Sequence, residues 1–450
     1  MPVLTRHCVN RWITTFALGL GALTLAGCAS SEDGPQLPRL SDLNPFAEKE
    51  VPLTGKRVAI IQQEEKLDLA SADAPIGLPP ALGNDSWSQP GGAANNAPGH
   101  LAFSGAPKAA WDASAGTGSS TAGRLTASPI VYDGYVYTLD SVGTVTALGA
   151  SSGNTAWRVA TTPKGDKDRK GFGGGLAADN GRIYAATGYG TVVALEPKTG
   201  KPVWEKNLGT PIRSSPTASG GRIYVITTEG RVFCLAGADG AEVWSVRGLP
   251  ERASLLSNVS PAVDGDMVIV AYPSGDLAAH KLAGGQTLWS ESLSRTRSTS
   301  ALASLSDAAR PAIDGGVVFG VGHSGRMIAV QQKTGERLWT LNVPGIQPPW
   351  PAGDSVFVVD INGQLMAISR KDGKLRWTVK LPGAKTWSGP VLAGSKLWLT
   401  SSSGKLVGVA AETGKVEQTL DIGTPMFIAP VVAQGRMYVL TDKARLYAFN

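Results

Sequence analysis

The chain is poor in the residues from which most active sites are built. Its 450 residues include 3 cysteines and 4 histidines, and no two histidines stand at metal-ligand spacing. No glycine-rich phosphate loop follows a strand and opens a helix, and no serine stands in a nucleophile-elbow pattern. Acidic residues number 36 against 42 lysines and arginines, and helix-type charge pairing is sparse. What is plentiful is glycine, with 56 residues. At a length too great for one ordinary core, that favours many short strands and tight turns, arranged as repeats or several domains.

Residues 1–27 read as an export signal. Arg6 and Arg11 precede the apolar run "ITTFALGLGALTL", whose 13 residues are too few to span a bilayer. "LAGC", Leu25 to Cys28, resembles the lipobox of bacterial lipoproteins, which implies cleavage before Cys28 and a lipid on its thiol. Ala29 stands where that pattern would place Asp to hold a lipoprotein at the inner membrane, so the resemblance implies an outer-membrane, periplasm-facing anchor. Removing Arg6 and Arg11 leaves 40 basic against 36 acidic residues, a balance that gives no reason to expect a nucleic-acid partner. Cys8 leaves with the signal and Cys28 is lipidated, so Cys234 is the one free thiol and no intrachain disulfide is expected. Residues 28–100 read as a lipid-anchored tether and N-terminal extension. The stretch 29–50 is polar and broken by proline, a second polar stretch spans about 70–99, and "RVAII" between them is a short strand candidate.

The informative region begins at Ser128. Seven windows of 30 residues superimpose without a gap, starting at 128, 175, 215, 260, 310, 348 and 389, and an eighth starts at Ala429 and runs to the end. Each complete window has a central glycine (Gly143, Gly190, Gly230, Gly275, Gly325, Gly363, Gly404) and another fifth from its end (Gly153, Gly200, Gly240, Gly285, Gly335, Gly373, Gly414). Glycine at fixed offsets between alternating apolar stretches marks hairpin turns, so each window holds four short strands. A period of 38 to 50 residues with four strands per unit predicts an all-β fold over 101–450, an eight-bladed β-propeller of four-stranded antiparallel blades. Alternation with period two excludes a helical repeat.

Six windows close on tryptophan, at Trp157, Trp204, Trp244, Trp289, Trp339 and Trp377, and the seventh on Gln418. A large aromatic at one fixed offset per blade reads as blade-to-blade packing. Cys234 shares its slot with Ala147, Ala194, Ala279, Ala329, Ala367, Gly408 and Ala448, so it reads as a small buried residue. His280 occupies an otherwise apolar slot and reads as a satisfied core histidine. The eighth window, ending in "DKARLYAFN", supplies three strands. The segment Ala102 to Ser114, with Trp111, reads as its missing fourth, so that an N-terminal strand closes the ring.

The windows "S-P-x-x-x-x-G-x-[IV]-Y … G-x-[VL]-x-A-L … T-G-x-x-x-W", clear in Leu176 to Trp204, resemble the pyrroloquinoline-quinone-type propeller repeat. Together with the lipobox they resemble the propeller lipoproteins of the outer-membrane β-barrel assembly machinery. That resemblance implies a non-enzymatic scaffold without catalytic, cofactor or metal residues. Its implied partners are a POTRA domain of the barrel-assembly protein BamA, nascent outer-membrane proteins, and the membrane itself through Cys28. The alternatives are a quinoprotein-type dehydrogenase, which needs a Ca2+ site and often a vicinal cysteine pair, and another envelope-binding propeller. The longest connections after the second window, "SVRGLPERASLLSNV" and "SESLSRTRSTSALASLSDAA", flank the fourth window, and each sets apolar residues among charged ones. The resemblance implies partner contacts at Leu255 on the first and at Leu305, Ser306 and Asp307 on the second. Leu256 stands where the family has Arg, with Arg252 as a substitute charge. "KGDKDRKG" at Lys164 to Gly171 reads as a binding loop or a solvated insertion, and charge runs of mixed sign are usually the latter.

Overall fold

Alternating apolar residues cut by glycine turns give short strands, and a four-stranded sheet has two faces that must both be covered. The computed structural model describes residues 75–450 apart from 122, 164–170, 172, 249–258, 294–307 and 324. Strand β1 (Ala109–Ser114) comes first, and β2 (Ile130–Tyr132), β3 (Tyr135–Leu139), β4 (Thr144–Gly149) and β5 (Thr155–Ala160) then form one antiparallel blade in sequence order. Six more blades of the same order follow, the last ending at Asp421. The eighth has the order β1-β32-β31-β30, with β30 (Val431–Ala433), β31 (Arg436–Leu440) and β32 (Arg445–Phe449). The fold is therefore the expected eight-bladed propeller, and the N-terminal strand closes it.

Within a blade, one cross-section explains the slots seen in the sequence. An aromatic on the second strand, a small residue on the third and a tryptophan on the outer strand lie side by side, as in Tyr137, Ala147 and Trp157. The small residue leaves room for the two rings to meet above it, with centroids 5.8 Å apart in this blade and 6.0 Å apart in the Tyr184–Trp204 and Tyr224–Trp244 pairs. Cys234 is the small member between Tyr224 and Trp244, and it is fully buried. A register shift just beyond the tryptophan marks a bulge in each outer strand.

Between blades the same tryptophan forms the joint. Trp157 Nε1 donates to the Pro197 carbonyl of the next blade at 2.8 Å, and Tyr137 Oη donates to that carbonyl at 3.1 Å. Trp204 with Tyr184 on Gly237, and Trp111 with Tyr438 on Ala150, repeat the double grip. The glycine fifth from the window's end lies beneath the indole of the preceding blade. A Cβ on Gly240, whose φ is +75°, would lie 2.7 Å from the Trp204 ring. These glycines thus serve the turn, as the sequence suggested, and also admit the neighbour's ring.

The seam between the seventh and eighth blades departs from this pattern. Gln418 replaces the tryptophan, and its Nε2 donates to the carbonyl of Gly105, just upstream of β1, at 2.6 Å. The lost aromatic volume reappears on the second strand as fully buried Trp398, faced by the reduced residue Gly408 and by Phe103 edge-on at 5.9 Å. Lys108 and Asn450 exchange backbone hydrogen bonds of 3.1 and 2.9 Å, which extends the β1–β32 ladder to the last residue.

The segment 75–107 pairs with the inner strands of all eight blades. Trp87 exchanges backbone bonds with Val131, Ser88 and Gln89 hold Ala178 and Ala218, and Ala94 accepts from Val263. Asn95 holds Ile313, Gly99 accepts from the Trp350 indole, and Leu101 pairs with Leu392 and Gly394. Asn84 holds Val432 and Gln434. From Asn84 to Leu101 the segment visits the blades in ring order, satisfying the free edge that each inner strand turns toward the axis. Asn96 Nδ2 lies within hydrogen-bond reach of the carbonyls of Ser260, Pro261 and Pro311 and so ties two blades together.

Trp204→Ala is expected to cost about 3 kcal/mol in a denaturant titration. Gly240→Ala is expected to be destabilising alone and to cost measurably less in the Trp204→Ala background, because part of its penalty is the clash with that ring; additive costs would argue against the joint. Removing residues 29–114 is expected to lower the melting temperature by more than about 10 °C, whereas removing 29–50 leaves it nearly unchanged, and similar melting temperatures would refute closure by β1.

Candidate docking face

Alternating strand directions give the ring two unlike faces. Turns joining first to second and third to fourth strands lie on one, and the N-terminal segment meets the ring there. Turns joining second to third strands, and the connections between blades, lie on the other. In six of the seven complete windows the central glycine, in a second-to-third turn, accepts the backbone N–H of the residue that leaves the blade, as with Thr161 on Gly143, Leu208 on Gly190, Gly248 on Gly230 and Leu293 on Gly275. These connections are therefore fastened at their roots.

Two long connections run from Arg247 to Ala262 and from Ser292 to Ala312, and they flank the fourth blade. Arg252, Leu255 and Leu256 on the first, and Leu305, Ser306 and Asp307 on the second, lie outside the described residues, as do Cys28 and Lys164 to Lys170. Their described roots are firm. Leu293 and Ala308 are buried, and Gly248 fits where a Cβ would lie 2.3 Å from the Tyr272 ring.

At the root of the first connection is a groove of about 330 Å3 lined in part by Leu208, Phe233 and Ser245. Arg231 lies over the Phe233 ring at 4.7 Å and is held by the Ser245 hydroxyl, while Arg247 pairs with Glu229 at 3.0 Å. The groove is lined mainly by polar and charged side chains, with Leu208 and the edge of the Arg231-capped Phe233 ring as its apolar part, a mixed surface of the kind found at the rim of a protein contact.

The axis opens on the same face in a cavity of about 240 Å3. Its walls are Leu125, Thr126 and Ser128, Val259, Ala309 and Arg310, Ile346 to Pro348, Thr386 and Ser388, and Phe427 to Ala429. These come from the approaches to the first, fourth, fifth, sixth, seventh and eighth blades, which only the axis brings together. Arg310 is the one charged residue in this lining. Burial alone lowers its pKa, to about 10, so it remains a cation at neutral pH. No sequence motif singles out Arg310, but the repeat register does. The first position of the other windows holds Ser128, Gly175, Ser215, Ser260, Pro348, Gly389 and Ala429.

The remaining candidates are structural. Burial pushes the Cys234 thiol up to about 11, which disfavours the thiolate. His280 is 1% exposed, 2.8 Å from the Tyr272 hydroxyl through Nε2 and 3.2 Å from the Thr287 hydroxyl through Nδ1. Burial lowers its pKa. His100 is a clasp of the N-terminal segment, with Nδ1 2.7 Å from the Pro79 carbonyl and Nε2 accepting the Ser395 N–H at 2.9 Å.

A family model described as outer membrane protein assembly factor BamB matches residues 141–379 and 372–450, more than half of the chain. The chain belongs to this family. Among curated relatives, the BamB of Shigella dysenteriae is 34% identical over 199 residues, covering 44% of this chain and 50% of that protein. The chain thus spans about half the length of the curated BamB relatives it matches. The quinohemoprotein alcohol dehydrogenase ADH IIB of Pseudomonas putida is 32% identical over 93 residues, covering 20% of this chain and 14% of that enzyme. Among solved structures, BamB from Moraxella catarrhalis superimposes with a TM-score of 0.65 at 17% identity, covering 77% of this chain and all of that one, a likeness of fold.

The dehydrogenase relatives raise the question of a quinone with its Ca2+. The residues at the axial mouth do not fit that group. The lining offers one guanidinium, hydroxyls, an amide and apolar side chains, with no carboxylate to ligate Ca2+. Among the described residues no three His, Cys, Asp or Glu side chains cluster in a way that could hold a metal. The 3 cysteines, Cys8, Cys28 and Cys234, provide no vicinal pair.

His280 sets a pH dependence. Its folded pKa lies below the unfolded value near 6.5, so the unfolded chain binds the extra proton first as pH falls. Its contribution is fully present above about pH 6.5, is lost as pH falls toward the folded value, and is constant below that. Urea titrations from pH 7.5 to 5 are expected to show a shallower loss of stability in His280→Gln than in wild type, and parallel curves would count against a buried neutral imidazole.

Proposed function

We propose that the chain is a non-enzymatic, lipid-anchored scaffold of the outer-membrane β-barrel assembly machinery. In this reading it docks on a POTRA domain of BamA and helps nascent outer-membrane proteins reach it. The supporting observation is the family match across the ring, joined to the asymmetry of its faces. The N-terminal segment occupies one face, and two long connections leave the other around a single blade.

Arg252, Leu255 and Leu256 together with Leu305, Ser306 and Asp307 form the contact in this reading, with the Phe233 groove beside them. Apolar anchors carry affinity where they are desolvated, and the charges set orientation. Cys28 carries the lipid that keeps the docking face near the membrane, on its periplasmic side. The donor set at the axial mouth favours this scaffold role over the dehydrogenase reading.

Pull-down of BamA by wild type and by Leu255→Glu with Asp307→Arg tests the contact. The double variant is expected to lose at least about tenfold in recovery, about 1.4 kcal/mol, while keeping the wild-type melting temperature. Equal recovery by both would reject the site.

A further inference from the structure

The first position of each window stands where the chain turns into an inner strand, so its side chain is close to the axis. Small residues or proline occupy it in seven windows, and only the fifth brings a long cationic side chain, Arg310. The residue as a whole is partly buried, while its Nε is shielded from solvent and has no hydrogen-bond partner, and no ion pair neutralises it among the described residues. Burial is the one cause acting on its pKa, so no carboxylate offsets the charge. A partly buried cation without a counter-ion has lost some of its hydration and gains from any anion that pairs with it.

The surroundings specify what can do so. Ser128, Ser388, Thr126 and Gln347 line the same cavity and offer hydrogen bonds, while Phe427 and Ile346 form an apolar wall. Phe427 is 44% exposed, an aromatic ring presented to solvent at the rim. At about 240 Å3 the cavity lies just below the range typical of drug-sized ligands. We propose that the axial mouth binds a small carboxylate with an apolar body, its carboxyl group on Arg310 and the hydroxyls, and its body against Phe427 and Ile346. A guanidinium matches a carboxylate in a planar, two-point contact that a lysine would not reproduce. The carboxylate belongs either to a free small acid or to the C-terminus of an apolar peptide, and the site recognises the chemistry they share.

The test uses the chain alone, without BamA, so its outcome is independent of the docking contact. Calorimetric titration with 3-phenylpropanoate, with its neutral amide, and with a short leucine-rich peptide bearing a free or an amidated C-terminus separates charge from shape and free acid from peptide. At least one carboxylate is expected to bind wild type tenfold or more tightly than its amide, and the one that does identifies the source. Arg310→Met is expected to lose that preference while melting at or above the wild-type temperature, since it removes an unpaired, partly buried charge, and Arg310→Lys to recover only part of the affinity. The proposal is overturned if neither carboxylate binds wild type, if acid and amide bind equally, or if Arg310→Met binds as wild type does.

Discussion

Each blade depends on the next for its own completion. An outer-strand indole in water would leave its ring half covered and its N–H without a protein acceptor. Set on a glycine of the following blade, it gains an apolar surface and a carbonyl at once, as Trp157 does on Gly200 and Pro197. The joint acts in one direction around the ring, so no blade is self-sufficient and stability accumulates between neighbours. The small residue on the third strand follows from the same need, because a larger one at Ala147 or Cys234 would push apart the two rings that grip the neighbour's carbonyl. A thiol fits there by size, and its buried setting keeps it protonated.

Much of this was legible in the sequence because it is periodic. The two glycine series, the tryptophans and the small slot recur at fixed offsets, and β1 announced itself through Trp111 in the wrong part of the chain. The path of residues 75–107 was not legible. That segment pairs through backbone groups and the amides of Asn84, Gln89, Asn95 and Asn96, with no regular alternation, and its composition resembles that of a solvated linker. Arg310 was visible as an exception in a column of small residues. That the column faces the axis emerges only when blades from all round the ring are brought together. The side chains at Arg252, Leu255, Leu256, Leu305, Ser306 and Asp307 lie outside the described residues, and so the contact reading for them rests on the resemblance.

The two faces of the ring divide the work. On one, the N-terminal segment satisfies the inner strand edges, which protects a row of exposed backbone groups that would otherwise pair with a foreign strand. On the other, glycine turns fix the roots of the connections and leave their lengths free to vary. A rigid base with variable loops on one face permits recognition to change without disturbing the joints.

Closure by the N-terminal segment also sets an order in time. Asp85 accepts a hydrogen bond from Gln434, 349 residues away along the chain, and β1 pairs with β32, so segments synthesised early must wait for partners synthesised late. A chain that stops short of Arg445 has no strand to receive β1 and no complete eighth blade to receive Asn84. A truncation that removes β32 thus leaves an open edge, whereas the ring with β32 in place is sealed by β1.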